Sequence, residues 1–114
     1  MTRVSTHVLD TSLGKAARDM AVRLERHGSS GQWEMVGAAR TDQDGRCAQL
    51  IPQSSGLSPG IYRLTFDTAG YHMSLGTSGL YPIVQVTFSV RDGETHFHIP
   101  LLLSPHGYTT YRGS

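Results

Sequence analysis

Strict alternation is the feature of this chain that most narrows what it can fold into. In "YPIVQVTFSV" (residues 81–90), Val84, Val86, Phe88 and Val90 fall on one side of an extended backbone, and Gln85, Thr87 and Ser89 on the other. "IYRLTFD" (61–67) repeats the pattern with Tyr62, Leu64 and Phe66, and "MAVRLER" (20–26) with Met20, Val22 and Leu24. Successive strand side chains point to opposite faces, so a period of two marks strands that bury one face. "VSTHVLDT" (4–11), rich in β-branched residues, and "WEMVGAART" (33–41) are expected as further strands. Turn residues separate them at Ser12-Leu13-Gly14, "GSSG" (28–31) and "DQDG" (42–45). Asp92-Gly93 is expected to make a hairpin turn into "THFHIPLLL" (95–103). Only "TAGYHMSLGTSG" (68–79) leaves room for a short helix. The pattern predicts an all-β fold, a mostly antiparallel β-sandwich with one domain over residues 1–114.

Composition narrows the function. With 38% hydrophobic and 17% charged residues and a formal net charge of +1, the chain has enough apolar material for a core. No run of like charges points to nucleic acid or a membrane surface, and no stretch is apolar enough for a signal or a span. Cys47 is the single cysteine, so no intrachain disulfide is possible and a cytoplasmic setting is expected. No Gly-x-Ser-x-Gly elbow or phosphate-cradling glycine loop is present. A lone cysteine is commonly a small buried hydrophobe.

The chain closes on "HFHIPLLLSPHGYTTYRGS" (96–114), an unusually specific terminus, since chain ends commonly fray. Alternation places Phe97, Ile99, Leu101 and Leu103 on the core face and turns His96 and His98 away from it, with Pro100 and Leu102. Pro100 lacks an N–H, so an edge, bulge or broken ladder is expected there. His7 raises the same question in the first strand. A strand histidine is more often structural than catalytic, and His-x-His on one face can also supply two metal ligands. No Asp, Glu or Cys stands beside the pair at ligand spacing, so no metal and no cofactor is expected. His27, His72 and His106 are expected to be surface or local structural residues.

"STHVLDTSLGKAA" (5–17), "DGRC" (44–47), "YRLTFDT" (62–68), "YPIVQVTF" (81–88) and the terminal stretch together resemble the 5-hydroxyisourate hydrolase family of transthyretin-like proteins. The resemblance spans essentially the whole chain, and its most specific element is Tyr111-Arg112-Gly113-Ser114, which the hormone-carrying transthyretins lack. It implies a transthyretin-like β-sandwich of two four-stranded sheets with one short helix, and a homotetramer built as a dimer of dimers. It places the central site residues at His7, Arg46 and His98, with Tyr111, Arg112, Gly113 and Ser114 beside them in a channel between dimers. One departure is visible: "GKAA" stands where many members have proline before the alanine, which alters a loop and leaves the site residues intact.

The implied reaction opens the ring of 5-hydroxyisourate with water, on the way to allantoin. A histidine titrates near neutral pH and suits the base, so His7 and His98 are expected to position and deprotonate water. Arg46 is expected to hold the purine's carbonyl and ring-nitrogen edge through its fork of donors. Arg112 and Tyr111 would add planar contacts, and the Ser114 hydroxyl or terminal carboxylate would orient water or substrate. The alternative is a transthyretin-like carrier that binds a small aromatic ligand without turnover.

Overall fold

The computed structural model of the chain describes residues 2–52 and 56–114. Strands β1 (Arg3–Asp10), β2 (Lys15–Ala16), β3 (Ala21–His27), β4 (Trp33–Arg40), β5 (Arg46–Cys47) and β6 (Gly60–Phe66) precede the helix α1 (Thr68–Ser74). Strands β7 (Val84–Val90), β8 (His96–His98), β9 (Leu101–Ser104) and β10 (Gly107–Thr110) follow it.

One sheet is four-stranded and antiparallel, in the order β4-β3-β6-β7. The other is built around β1, in the order β10-β9-β1-β2, with β5 and β8 also paired to β1. Six strand segments make four lanes here. β8 and β9 both pair with β1 in parallel and form one strand interrupted at Ile99-Pro100. β2 and β5 share the opposite edge of β1, at Leu9–Asp10 and Thr6–His7 respectively. The sandwich of two sheets with one short helix is therefore present, with its second sheet broken where the sequence carries proline.

Alternation decides what lies between the layers. Val4 and Val8 from β1, Val22 and Leu24 from β3, and Tyr62, Leu64 and Phe66 from β6 are buried there. Val84 and Val90 from β7 and Phe97, Leu101 and Leu103 from the interrupted strand extend that core. Asp67 begins α1 by accepting a hydrogen bond from the Gly70 N–H, and Gly76 follows its last turn with φ +73°.

One turn differs from expectation. Asp92-Gly93 does turn the chain, with Gly93 at φ +84°, but it is no hairpin. β7 belongs to the four-stranded sheet and β8 pairs with β1 in the other, so the turn carries the chain across the sandwich. An Asp-Gly pair sets local chain reversal. Which partner the next strand finds is decided by the open parallel edge of β1, more than eighty residues earlier.

Candidate active site

On β1, Val4, Thr6, Val8 and Asp10 point inward and are buried, which leaves Ser5, His7 and Leu9 on the outer face. β5 buries Cys47 and turns Arg46 outward, and β8 buries Phe97 and turns His96 and His98 outward. The registers then align the site. His7 stands opposite Arg46 across β1–β5, and Ser5 opposite His98 across β1–β8. Strands lie about 4.8 Å apart, so Arg46, His7 and His98 occupy a face roughly 10 Å across. The structure thus brings together the three residues that the sequence set apart.

The loop before β5 is shaped to hold His7. Asp42 Oδ1 accepts hydrogen bonds from the backbone N–H groups of Asp44 and Arg46, both at 2.9 Å. Gly45 has φ +77°, and a β-carbon there would lie 2.3 Å from the Val8 carbonyl oxygen, so only glycine fits. The Asp44 carbonyl is thereby presented to His7, whose Nε2 lies 2.8 Å away. A carbonyl only accepts, so Nε2 carries a hydrogen, and in the neutral form of the ring the lone pair is on Nδ1. The Asp42 carboxyl is held below its ordinary value first by the Arg46 N–H, with the charges of Arg46 and His7 adding to the effect.

His98 is fixed from two sides. Its Nδ1 is 2.8 Å from the Ser5 hydroxyl. Its backbone carbonyl accepts from the Gly113 N–H at 2.7 Å, a bridge that lays the C-terminal tail across the imidazole. Partial burial lowers the His98 pKa, and the positive fields of Arg46, His7 and His96 lower it further. The ring is therefore neutral at pH 7, the state a general base requires. Among the described residues nothing hydrogen-bonds His98 Nε2 or pairs with the Arg46 guanidinium.

The other tail residues separate. Tyr111 is 55% exposed and lines a groove of about 270 Å³ with Val86, Phe88 and Phe97, at the edge where the two sheets face each other. Arg112 lays its guanidinium on Glu94, the His96 carbonyl and the Phe97 ring. Ser114 is exposed at the chain end beyond the Gly113 bridge.

Sequence reasoning gave no role to Ser5 or Glu94. A serine in a β-branched run and an acid after a turn carry no local signal, and only the pairing of β1 with β8 and the path of the tail reveal them. Cys47 faces the core, and burial pushes its thiol up to about 11, so it is no nucleophile at neutral pH. His72 is buried beside Gly79, and His27 packs on Trp33 at 5.0 Å between ring centroids, both local structural roles. Among the described residues, no three His, Cys, Asp or Glu side chains converge as a metal centre would need.

Residues 4–113 match the model of the HIUase/Transthyretin family. The chain is 44% identical over 112 residues to the 5-hydroxyisourate hydrolase of Mus musculus, covering 97% of this chain and 94% of that protein. It is 40% identical over 116 residues to that of Halalkalibacterium halodurans, covering 98% of each. Among solved structures, Klebsiella pneumoniae 5-hydroxyisourate hydrolase superposes with a TM-score of 0.86 at 34% identity, over 99% of this chain and 100% of that one. Sea bream transthyretin in complex with thyroxine superposes with a TM-score of 0.90 at 28% identity, over 97% of this chain and 94% of that one. Backbone likeness alone does not separate the hydrolase from the carrier; the higher identity falls on the hydrolases.

Proposed function

The chain belongs to the HIUase/transthyretin family, and from that premise we propose that the outer face of β1, β5 and β8 hydrolyses 5-hydroxyisourate by histidine-assisted attack of water. Its place is in urate degradation toward allantoin, with 2-oxo-4-hydroxy-4-carboxy-5-ureidoimidazoline as product. The observation that carries this reading is the alignment of Arg46, His7 and His98 on one face, under a tail that bridges onto His98.

With the imidazole hydrogen on Nδ1, the Ser5 oxygen 2.8 Å away accepts it, and the Nε2 lone pair takes a proton from water. The water oxygen then forms a bond to the ring carbonyl carbon, and the carbonyl electrons move onto its oxygen. Arg46 donates to that oxyanion and, through its planar fork, to the neighbouring ring edge. His7 holds the water or substrate through Nδ1, its Nε2–H being occupied by Asp44. Collapse of the oxyanion breaks the ring C–N bond, and the proton held on His98 passes to the leaving nitrogen. The step uses only protein groups and water. Ser114 follows the Gly113 bridge beside His98, and Tyr111 stands apart in its groove.

The site is an open face on a single chain, and an open face admits bulk water. A homotetramer, a dimer of dimers, closes it. Two observations support that assembly. β7 and β10 are the free edges of their sheets on the same side of the sandwich, and Val86, Phe88 and Tyr111 line the apolar groove there. Leu80, Tyr81, Ile83 and Tyr108 are exposed nearby in the chain. A cytoplasmic setting belongs to the same reading and rests on the lone buried cysteine.

The test is ultraviolet absorbance of 5-hydroxyisourate generated in situ from urate by a uricase. Decay is expected to accelerate at catalytic protein concentrations, and His98→Ala and Arg46→Ala are each expected to abolish most of that acceleration. Unchanged decay with saturable binding of an aromatic ligand would replace the hydrolase with the carrier, which shares the same backbone.

A further inference from the structure

Arg112 spends its charge inside the chain. Its Nη1 is 3.3 Å from Glu94 Oε2, its Nη2 donates to the His96 carbonyl at 3.2 Å, and its Cζ lies over the Phe97 ring, 4.4 Å from the centroid. Glu94 is itself held, since its Oε1 accepts from the Arg91 N–H at 2.9 Å across the turn that leads into β8. Phe97 is buried in the core. One guanidinium is thus anchored both to the turn before β8, through Glu94, and to β8 itself, at His96 and Phe97. The next residue, Gly113, makes the bridge to His98.

We propose that Glu94 and Arg112 form a clamp that presses the C-terminal tail onto His98, so that both are positioning residues acting through Gly113. The inference rests on the hydrolase reading above and refines it, replacing substrate contact by Arg112 with contact inside the chain.

The physical case is one of geometry. A terminal peptide loses its order readily, because few contacts oppose the entropy of its last residues. An isolated exposed ion pair does little to prevent that, and the two side chains here are 56% and 30% exposed. Arginine adds what lysine does not: a planar group that donates in two directions and stacks on an aromatic ring at once. Together these contacts fix the Arg112 head, and a fixed head one residue from Gly113 restricts where the Gly113 N–H can go. That N–H meets the His98 carbonyl at 2.7 Å. The acid comes from the β7–β8 turn, so the turn that delivers His98 to β1 also secures the tail that covers it.

The experiment is a double-mutant cycle with Glu94→Gln and Arg112→Gln, read in steady-state turnover of 5-hydroxyisourate and in amide hydrogen exchange at Gly113. Glu94→Gln is expected to lower kcat about two- to fivefold with KM nearly unchanged, the size of an exposed pair. Arg112→Gln loses all three contacts and is expected to lower kcat about tenfold. The double variant should be no worse than Arg112→Gln alone, because both changes release one clamp. Gly113 exchange should quicken in every variant while Leu101, in the core of the same sheet, exchanges as before. Restoring the guanidinium fork matters too: Arg112→Lys should recover only part of the loss. The clamp is overturned if Glu94→Gln matches wild type in kcat and in Gly113 exchange, or if Arg112→Gln raises KM alone. A wild-type protein without turnover would overturn the hydrolase reading instead, and Gly113 exchange would still report on the clamp.

Discussion

Ser5 and His98 lie 93 residues apart in the chain, yet their side chains meet at 2.8 Å because β1 and β8 pair in parallel with these two residues in register. The contact sets the rotation of the imidazole and decides which nitrogen is free. Ser5→Ala removes it and leaves His98 Nδ1 unpartnered, at a cost of about 1 kcal/mol. The expected outcome is a fall in kcat of roughly five- to tenfold, with KM little changed. Steady-state kinetics check it, and a wild-type kcat would show that Ser5 does not orient the base.

The pH profile follows from the same ring. Burial and the charges of Arg46, His7 and His96 lower the His98 pKa below the ordinary histidine value of 6.5. The neutral ring is the active form, so kcat/KM should rise with pH through a midpoint below 6.5 and be level near neutrality. The linkage has the same sign. A histidine with a lowered folded pKa contributes stability above its unfolded pKa and loses it as pH falls through the folded one. Arg46→Gln removes one positive field, so a nuclear magnetic resonance titration of His98 should move upward in that variant. A midpoint above 6.5 in wild type, or no movement in the variant, contradicts this account.

Strand identity and strand faces were legible because alternation is local: Tyr62, Leu64 and Phe66 read as one buried face and are one. Pro100 likewise announced the break between β8 and β9. The parallel partnership with β1 was not legible, because pairing between segments over ninety residues apart depends on which edges remain free after the sandwich closes. The misread hairpin at Asp92-Gly93 and the unassigned Ser5 and Glu94 share that cause. Of the candidate site, His7, Arg46 and His98 were singled out through the motifs around them; alternation alone turned only His96 and His98 outward. Pro100 shows its limit. It shares the histidine face by count and is nevertheless buried, where its carbonyl accepts from the Thr110 hydroxyl at 2.7 Å.

Stability has its own anchor on the opposite side of β1. The Tyr71 hydroxyl donates to Asp10 Oδ2 at 2.7 Å, and Asp10 Oδ1 receives the Ser12 N–H, the Ser12 hydroxyl and the Leu13 N–H. Burial pushes the Asp10 pKa up, but these hydrogen bonds outweigh it and hold the carboxyl below 3.8. A depressed carboxylate contributes stability above its unfolded pKa and loses it as pH falls through the folded value. Tyr71→Phe should cost about 2 kcal/mol at neutral pH, or roughly 5–10 °C in Tm. The gap from wild type should narrow as Asp10 protonates below pH 3.8. Calorimetry at two pH values checks the sign, and kcat/KM should stay within about twofold, since His7 faces away from this network.

Gly113 separates the tail's contribution to catalysis from its contribution to folding. A β-carbon built there would lie 2.6 Å from His98 Cδ2 and 3.3 Å from the His98 carbonyl oxygen. Something must shift, and the imidazole is not a loose end, because Ser5 holds its Nδ1. In Gly113→Ala either the ring rotates and gives up Ser5, or the tail lifts and gives up its bridge. Both displace the base from water by more than a productive geometry tolerates, and a misplacement near 1 Å costs about a hundredfold. The core is untouched, since Gly113 lies on the outer face with His98. The expected outcome is a loss of tenfold or more in kcat with Tm within about 2 °C of wild type. Equal losses of activity and of Tm would make the tail a structural strap, and full activity would place the working base away from His98.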